Sequence, residues 1–119
     1  MTSTRHQWRV RLSDLADTDF QGILLWAENR FGEEQARIYE EALIATFASL
    51  SEGPSTLGAR SRPEVGKGLH TLHVAGTRRR ARHLVLFRVV GDGLIEIVRI
   101  LHDGMDLARH LPTDEAGET

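Results

Sequence analysis

The chain has 119 residues, 40% of them hydrophobic, with a formal net charge of -2 at pH 7, enough for one hydrophobic core and too few for two ordinary domains. It has no cysteine, which excludes disulfides, thiolate metal sites and thiol nucleophiles and fits a reducing cytoplasm, the expected location. No apolar run approaches the roughly 18 residues that span a membrane, and the start MTSTRHQW lacks an apolar secretion-type segment, so no membrane partner is expected.

QWRVRL alternates Trp8, Val10 and Leu12 against Arg9 and Arg11, the period of a half-buried strand. A helix follows, with Phe20, Ile23, Leu24, Ala27 and Phe31 at steps of three and four. Thr18 and Gln21 have capping-box spacing, with Ser13 as an earlier alternative start. Gly32 breaks the pattern, and Ala36, Tyr39, Leu43, Phe47 and Leu50 form the stripe of a second helix that stops at SEGP, where Gly53 caps and Pro54 cannot continue. So short a joint predicts an antiparallel helical hairpin, with Glu33 and Arg37 as a surface pair on its outer side.

Residues 53–68 are rich in glycine, proline and serine and predict a long loop. The period then becomes two. LHTLHV is a strand, AGTRRR a turn, RHLVLFRVV a second strand, GDG a tight turn and LIEIVRIL a third strand, antiparallel to the one before it. The expected architecture is α+β: an N-terminal strand and an antiparallel helical hairpin packed on a small antiparallel sheet, closed by a short C-terminal helical turn. Residues 7–111 form the single expected domain, between a flexible N-terminus at 1–6 and an acidic flexible tail at 112–119.

On the last two strands both faces are apolar. Alternation sets Leu84 and Leu86 against Val85, Phe87 and Val89, and Val98 and Ile100 against Ile95, Ile97 and Leu101. One helical hairpin covers only one face of a sheet, so the other is expected to need the C-terminal segment, a second copy or another protein.

Charge is unevenly placed. Residues 1–57 hold five Lys and Arg against nine Asp and Glu, 58–109 ten against five, and 110–119 none against three. Arginine is the distinctive residue. Arg78, Arg79, Arg80 and Arg82 crowd the predicted turn, and Arg82 shares a strand face with Arg88; guanidinium forks suit bidentate contact with an anionic partner. Arg99, flanked by apolar residues, is expected to pair with Asp103 or Asp106, because a buried charge must be compensated.

Metal and cofactor chemistry find little support. His70 and His73 point to opposite faces of a strand, no HExxH spacing occurs, and GKGL lacks the pattern of a phosphate loop, so neither a metal nor a cofactor is expected. A metal-free nuclease would need a proton acceptor, a proton donor and cations; His83, His102 and the arginines could serve, while Tyr39, the only tyrosine, sits on a core stripe.

The ordered series resembles the RelE/ParE superfamily of bacterial toxins, closest to its ParE branch. It runs through the A-x-x-D opening of the first helix at Ala16, Asp19 and Phe20, the FG joint at Phe31 and Gly32, Ala36 with Tyr39, LSEGP, GLHTLHV, HLVLFRV and RILHDGMD, spanning about residues 8–111. The resemblance implies a type II toxin neutralised by a cognate ParD-like antitoxin in a hetero-oligomer, and a ParE-like inhibitor of DNA gyrase that is not an enzyme. The alternatives are a ribosome-dependent mRNA endoribonuclease of RelE type and a non-toxic binding module. The RelE-type set fits poorly, since no tyrosine follows residue 39 and net acidity suits neither ribosome docking nor direct nucleic-acid binding by the toxin alone. Under this reading Arg78, Arg79, Arg80, Arg82, Arg88, Arg99, Asp106 and Arg109 are the candidates for meeting target or partner. His102, Asp103 and Met105 are a family marker: His102 and Asp103 fix the exit of the tail, and Met105 packs the last turn onto the sheet.

Overall fold

The computed structural model describes residues 7–56, 58–74 and 83–102. In chain order the elements are β1 (Arg9–Leu12), α1 (Asp14–Phe31), α2 (Glu33–Ser49), a 3-10 turn (Leu50–Glu52), β2 (Arg60–Ser61), β3 (Leu69–His73), β4 (His83–Val89) and β5 (Leu94–His102). The strands form one sheet in the order β1-β5-β4-β3-β2.

The expected α+β layering is present, with one refinement of pairing. β2, β3, β4 and β5 are antiparallel neighbours, but β1 runs parallel to β5, with Arg9 opposite Leu94 and Leu12 opposite Ile97, so the sheet is mixed. Alternation reveals a strand without revealing its partner's direction; here the hairpin and three strands separate β1 from β5 in sequence. The loop after the hairpin contributes β2 to the far edge. The GDG turn is as expected: Gly91 and Gly93 have φ of 89° and 77°, and Val90 N–H donates to Leu94 at 2.8 Å.

α1 starts at the earlier of its two candidate caps. The Ser13 hydroxyl accepts from Ala16 N–H at 3.0 Å, whereas Thr18 lies inside the helix and donates back to the Asp14 carbonyl at 3.1 Å. Gly32 alone joins the helices, at φ 95°, and its N–H bonds to the Glu28 carbonyl. On the outer surface Arg37 pairs with Glu34 at 3.1 Å instead of with Glu33. Gly53 ends the 3-10 turn at φ 117°, beneath Trp8, whose Nε1 would lie 3.0 Å from any added Cβ.

The hairpin lies on one face of the sheet over a core that includes Ala16, Leu43, Leu50, Leu72, Val85, Phe87, Ile95, Ile97 and Ile100. Simple alternation fails within β5. Leu86 is opposite Arg99 but Phe87 is opposite Ile97, so Val98 is an extra residue in a β-bulge. The bulge reverses the inward parity: Ile100 joins Ile95 and Ile97 beneath the helices, and Val98 lies with Leu69 and Leu86 in a separate cluster. That cluster shows that part of the second face is covered from within the described residues, while the C-terminal segment also expected there lies outside them. Val65, from the loop between β2 and β3, packs over Leu69, Leu86 and Val98. The loop is tied down by Arg62 N–H to Leu69 O at 2.8 Å and by Arg62 Nε donating to Thr71 Oγ1 at 3.0 Å.

The Ser13 hydroxyl also donates to the Val98 carbonyl at 2.9 Å, so one side chain serves both the helix cap and the bulge. Ser13→Ala is expected to destabilise the fold by about 1–2 kcal/mol. Urea unfolding would show a lower midpoint at unchanged slope; an unchanged midpoint would remove the dual role.

Candidate functional site

Past residue 97, β1 has ended and α1 runs beside the open edge of β5. Asp19, in the second turn of α1, reaches that edge. Its Oδ2 accepts from Arg99 Nε at 2.8 Å and from Ile100 N–H at 2.9 Å, and its Oδ1 accepts from Arg99 Nη2 at 2.9 Å. One carboxylate therefore meets a guanidinium fork and a strand-edge amide together. Both side chains are less than one-fifth exposed. The bond to Asp19 raises the Arg99 pKa above its ordinary value.

This corrects the expected pairing of Arg99 with Asp103 or Asp106; the acid comes from α1, 80 residues away in sequence. Arg88 is likewise held, its Nε and Nη2 on Glu96 Oε1 at 3.2 and 2.9 Å, while Arg11 approaches Glu96 Oε2 at 3.4 Å. β1, β5 and β4 are thus laced together by one acid between two arginines. Arg78, Arg79, Arg80, Arg82, Asp103, Met105, Asp106 and Arg109 lie outside the described residues, as do the termini at 1–6 and 112–119.

Between α1 and β5 lies an open cleft of about 540 Å³, within the usual range for ligand and anchor-residue sites. Ile23, Trp26 and Ile100 supply apolar walls, the Asp19–Arg99 pair stands among the polar residues, and Arg30, His83 and His102 also reach the lining. His102 is the last residue of β5, where the tail leaves the sheet, and its Cα partner is His83. The two imidazoles touch edge to face, centroids 5.5 Å apart, and His83 also contacts Trp26 and Tyr39. Tyr39 is buried against Trp26 and Phe31 as the core residue its stripe predicted.

Gly22 also lines the cleft, midway along α1. A glycine there costs roughly 0.5–1 kcal/mol relative to alanine. Its φ is not positive, and an added Cβ would meet nothing within 4 Å. Neither backbone geometry nor packing among the described residues requires it. Sequence reading passed over Gly22, Trp26 and Arg30 as cleft residues; the one available signal was a glycine inside an otherwise unbroken helical pattern.

Comparison with known proteins agrees with this architecture. The family model for the ParE toxin of type II toxin-antitoxin system, parDE, matches residues 10–107. The chain belongs to the ParE toxin family. It is 36% identical over 103 residues to Toxin ParE1 of Caulobacter vibrioides, covering 85% of this chain and 95% of that protein. It is 31% identical to Toxin ParE1 of Mycobacterium tuberculosis, with 87% and 97% covered. Among solved structures, a chain of the chromosomal ParDE system from P. aeruginosa superposes with a TM-score of 0.64 at 24% identity, covering 82% of this chain and 97% of that one. A chain of the M. tuberculosis RelBE2 toxin-antitoxin complex gives 0.54 at 20% identity, with 87% and 100% covered. At those identities the likeness to the solved structures concerns the fold.

For this ParE-family chain, the A-x-x-D helix opening now has a physical content: Ala16 is buried in the core and receives the Ser13 cap, and Asp19 closes the edge of β5. Among the described residues no group of three His, Asp or Glu is placed to hold a metal ion, and no helix is long and apolar enough to cross a membrane.

Asp19→Ala leaves Arg99 without this carboxylate and Ile100 N–H without its acceptor, an expected loss of about 3 kcal/mol, the low end for orphaning one member of a buried pair. A double-mutant cycle with Arg99→Ala, read by denaturant unfolding, should give a coupling energy of about 1–3 kcal/mol. Strictly additive losses would mean that the two side chains act independently.

Proposed function

We propose that this chain is the toxin of a type II toxin-antitoxin pair, that it inhibits DNA gyrase by binding and not by catalysis, and that a ParD-like antitoxin neutralises it in the cytoplasm. Family membership across residues 10–107, shared with proteins named ParE1, supports the reading, as does the fold shared with a chain of a ParDE system.

The observation that carries the non-enzymatic half is the commitment of the described chemistry to structure. Arg88 and Arg99 are engaged by Glu96 and Asp19, His83 and His102 pack on one another, and Tyr39 is buried among rings. A metal-free nuclease needs a proton acceptor, a proton donor and cations directed at one reacting phosphate. Target contact is therefore assigned to Arg78, Arg79, Arg80, Arg82 and Arg109, with Asp106 as the accompanying acid.

Purified protein added to gyrase and relaxed plasmid should abolish supercoiling and accumulate linear DNA. Replacing Arg78, Arg79 and Arg80 together by alanine should weaken inhibition about tenfold, as expected for lost charge steering at an interface. Unaltered supercoiling, together with codon-positioned cuts in translated message by primer extension, would overturn the proposal in favour of a ribosome-dependent nuclease.

A further inference from the structure

We propose that the α1–β5 cleft is a socket for the antitoxin, which seats one bulky apolar side chain over Gly22 and sets a carboxylate of the same segment against Arg30. This rests on the antitoxin-bound reading above and names the site at which that partner is gripped.

Three independent features of the cleft agree on such an occupant. The first is Gly22 itself. A glycine that no backbone angle and no neighbouring atom among the described residues requires leaves open space on the cleft face of α1. Any side chain at this position would project into that space, so the residue suits an object arriving from outside the chain.

The second is the chemistry of the walls. Ile23 and Trp26 on α1 face Ile100 on β5, which suits an apolar anchor. Their supports are rigid. Trp26 is held edge-on by Phe31, Tyr39 and His83, with centroids 5.5 to 6.0 Å apart, and the opposite wall is pinned by Asp19 through Ile100 N–H. A preformed socket binds without the cost of ordering its own side chains.

The third is charge. The Asp19–Arg99 pair is internally neutralised, so it adds little net charge to the cleft. Arg30, in the last turn of α1, is exposed and makes no ion pair among the described residues. With His102 also on the lining, this region of the cleft favours an anionic group. The occupant is therefore a protein segment with an apolar anchor and a neighbouring Asp or Glu.

The test uses the full chain and the antitoxin encoded in the adjoining reading frame, with affinity measured by calorimetry. Gly22→Leu fills the socket from within and, being a helix-favouring change at an open position, should leave Tm equal or higher while weakening antitoxin binding about tenfold or more. Gly22→Ala should give a smaller loss with an equal or higher Tm, and Arg30→Glu should weaken binding about tenfold. Wild-type affinity in Gly22→Leu at undiminished Tm overturns the socket while leaving the antitoxin reading intact. Self-association of the wild-type chain that Gly22→Leu abolishes, seen by light scattering, overturns it in favour of a second copy. No binding of antitoxin to the wild-type chain overturns both.

Discussion

An interior strand of a small sheet must satisfy two edges, and in this chain β5 meets the problem twice along one of them. Over residues 94–97 the edge is closed by β1. Beyond that point β1 has ended and the chain has turned into α1, leaving peptide groups of Val98 and Ile100 beside a helix that has no backbone donors or acceptors to spare for them. Two side chains of the β1–α1 corner replace the missing strand. Ser13 donates to the Val98 carbonyl, and Asp19 accepts from Ile100 N–H. That substitution fixes the angle at which α1 leaves the sheet, and hence where the hairpin sits and how wide the α1–β5 cleft remains. Apolar burial beneath the hairpin supplies the larger driving force, but burial is non-directional and would tolerate several placements of α1. The paired carboxylate tolerates few.

The same corner redistributes charge. A chain with ten basic residues between 58 and 109 looks, on paper, like one built to grip an anion. Two of those arginines are consumed internally, Arg88 by Glu96 and Arg99 by Asp19. Glu96 binds the strands to each other, since Arg11 and Arg88 reach it from either side. Charge density in a sequence overstates surface potential wherever the acids that neutralise it are distant in the chain. The basic excess that remains is concentrated in Arg78, Arg79, Arg80 and Arg82.

Much of the fold was legible because its signals are local. Alternation in LHTLHV, HLVLFRV and LIEIVRIL marks three strands, Gly91 and Gly93 mark their turn, and the apolar stripe ending at SEGP marks the second helix. What escaped was non-local or silent. Nothing in the residue types around Ile97 and Val98 announces a bulge, because both are apolar β-formers and either could face inward. Reading strict alternation through it put Ile100 on the wrong face. Nearness in sequence points Arg99 to Asp103 or Asp106, whereas its partner Asp19 is 80 residues away. Asp19 did stand in the family pattern, yet a pattern marks a position without stating what its side chain touches. The loop's share in covering the second face is hidden for a similar reason: Val65 is a single apolar residue in a polar loop, and its packing on Leu86 and Val98 depends on how Arg62 ties that loop to β3.

Gly22 belongs to a different category of signal. A stabilising substitution is open at this position: alanine would lose less backbone entropy on folding and would clash with nothing described. Residues that lower stability without an internal reason are where a small protein shows demands imposed from outside its own core. The α1–β5 corner has both kinds of residue on one helix. Asp19 makes the cleft rigid, and Gly22, three residues on, keeps part of it open. Stiff walls and an empty seat are what an anchor residue needs to bind without reorganising its receptor, so the device that completes the sheet edge also prepares the surface on which a partner can be held.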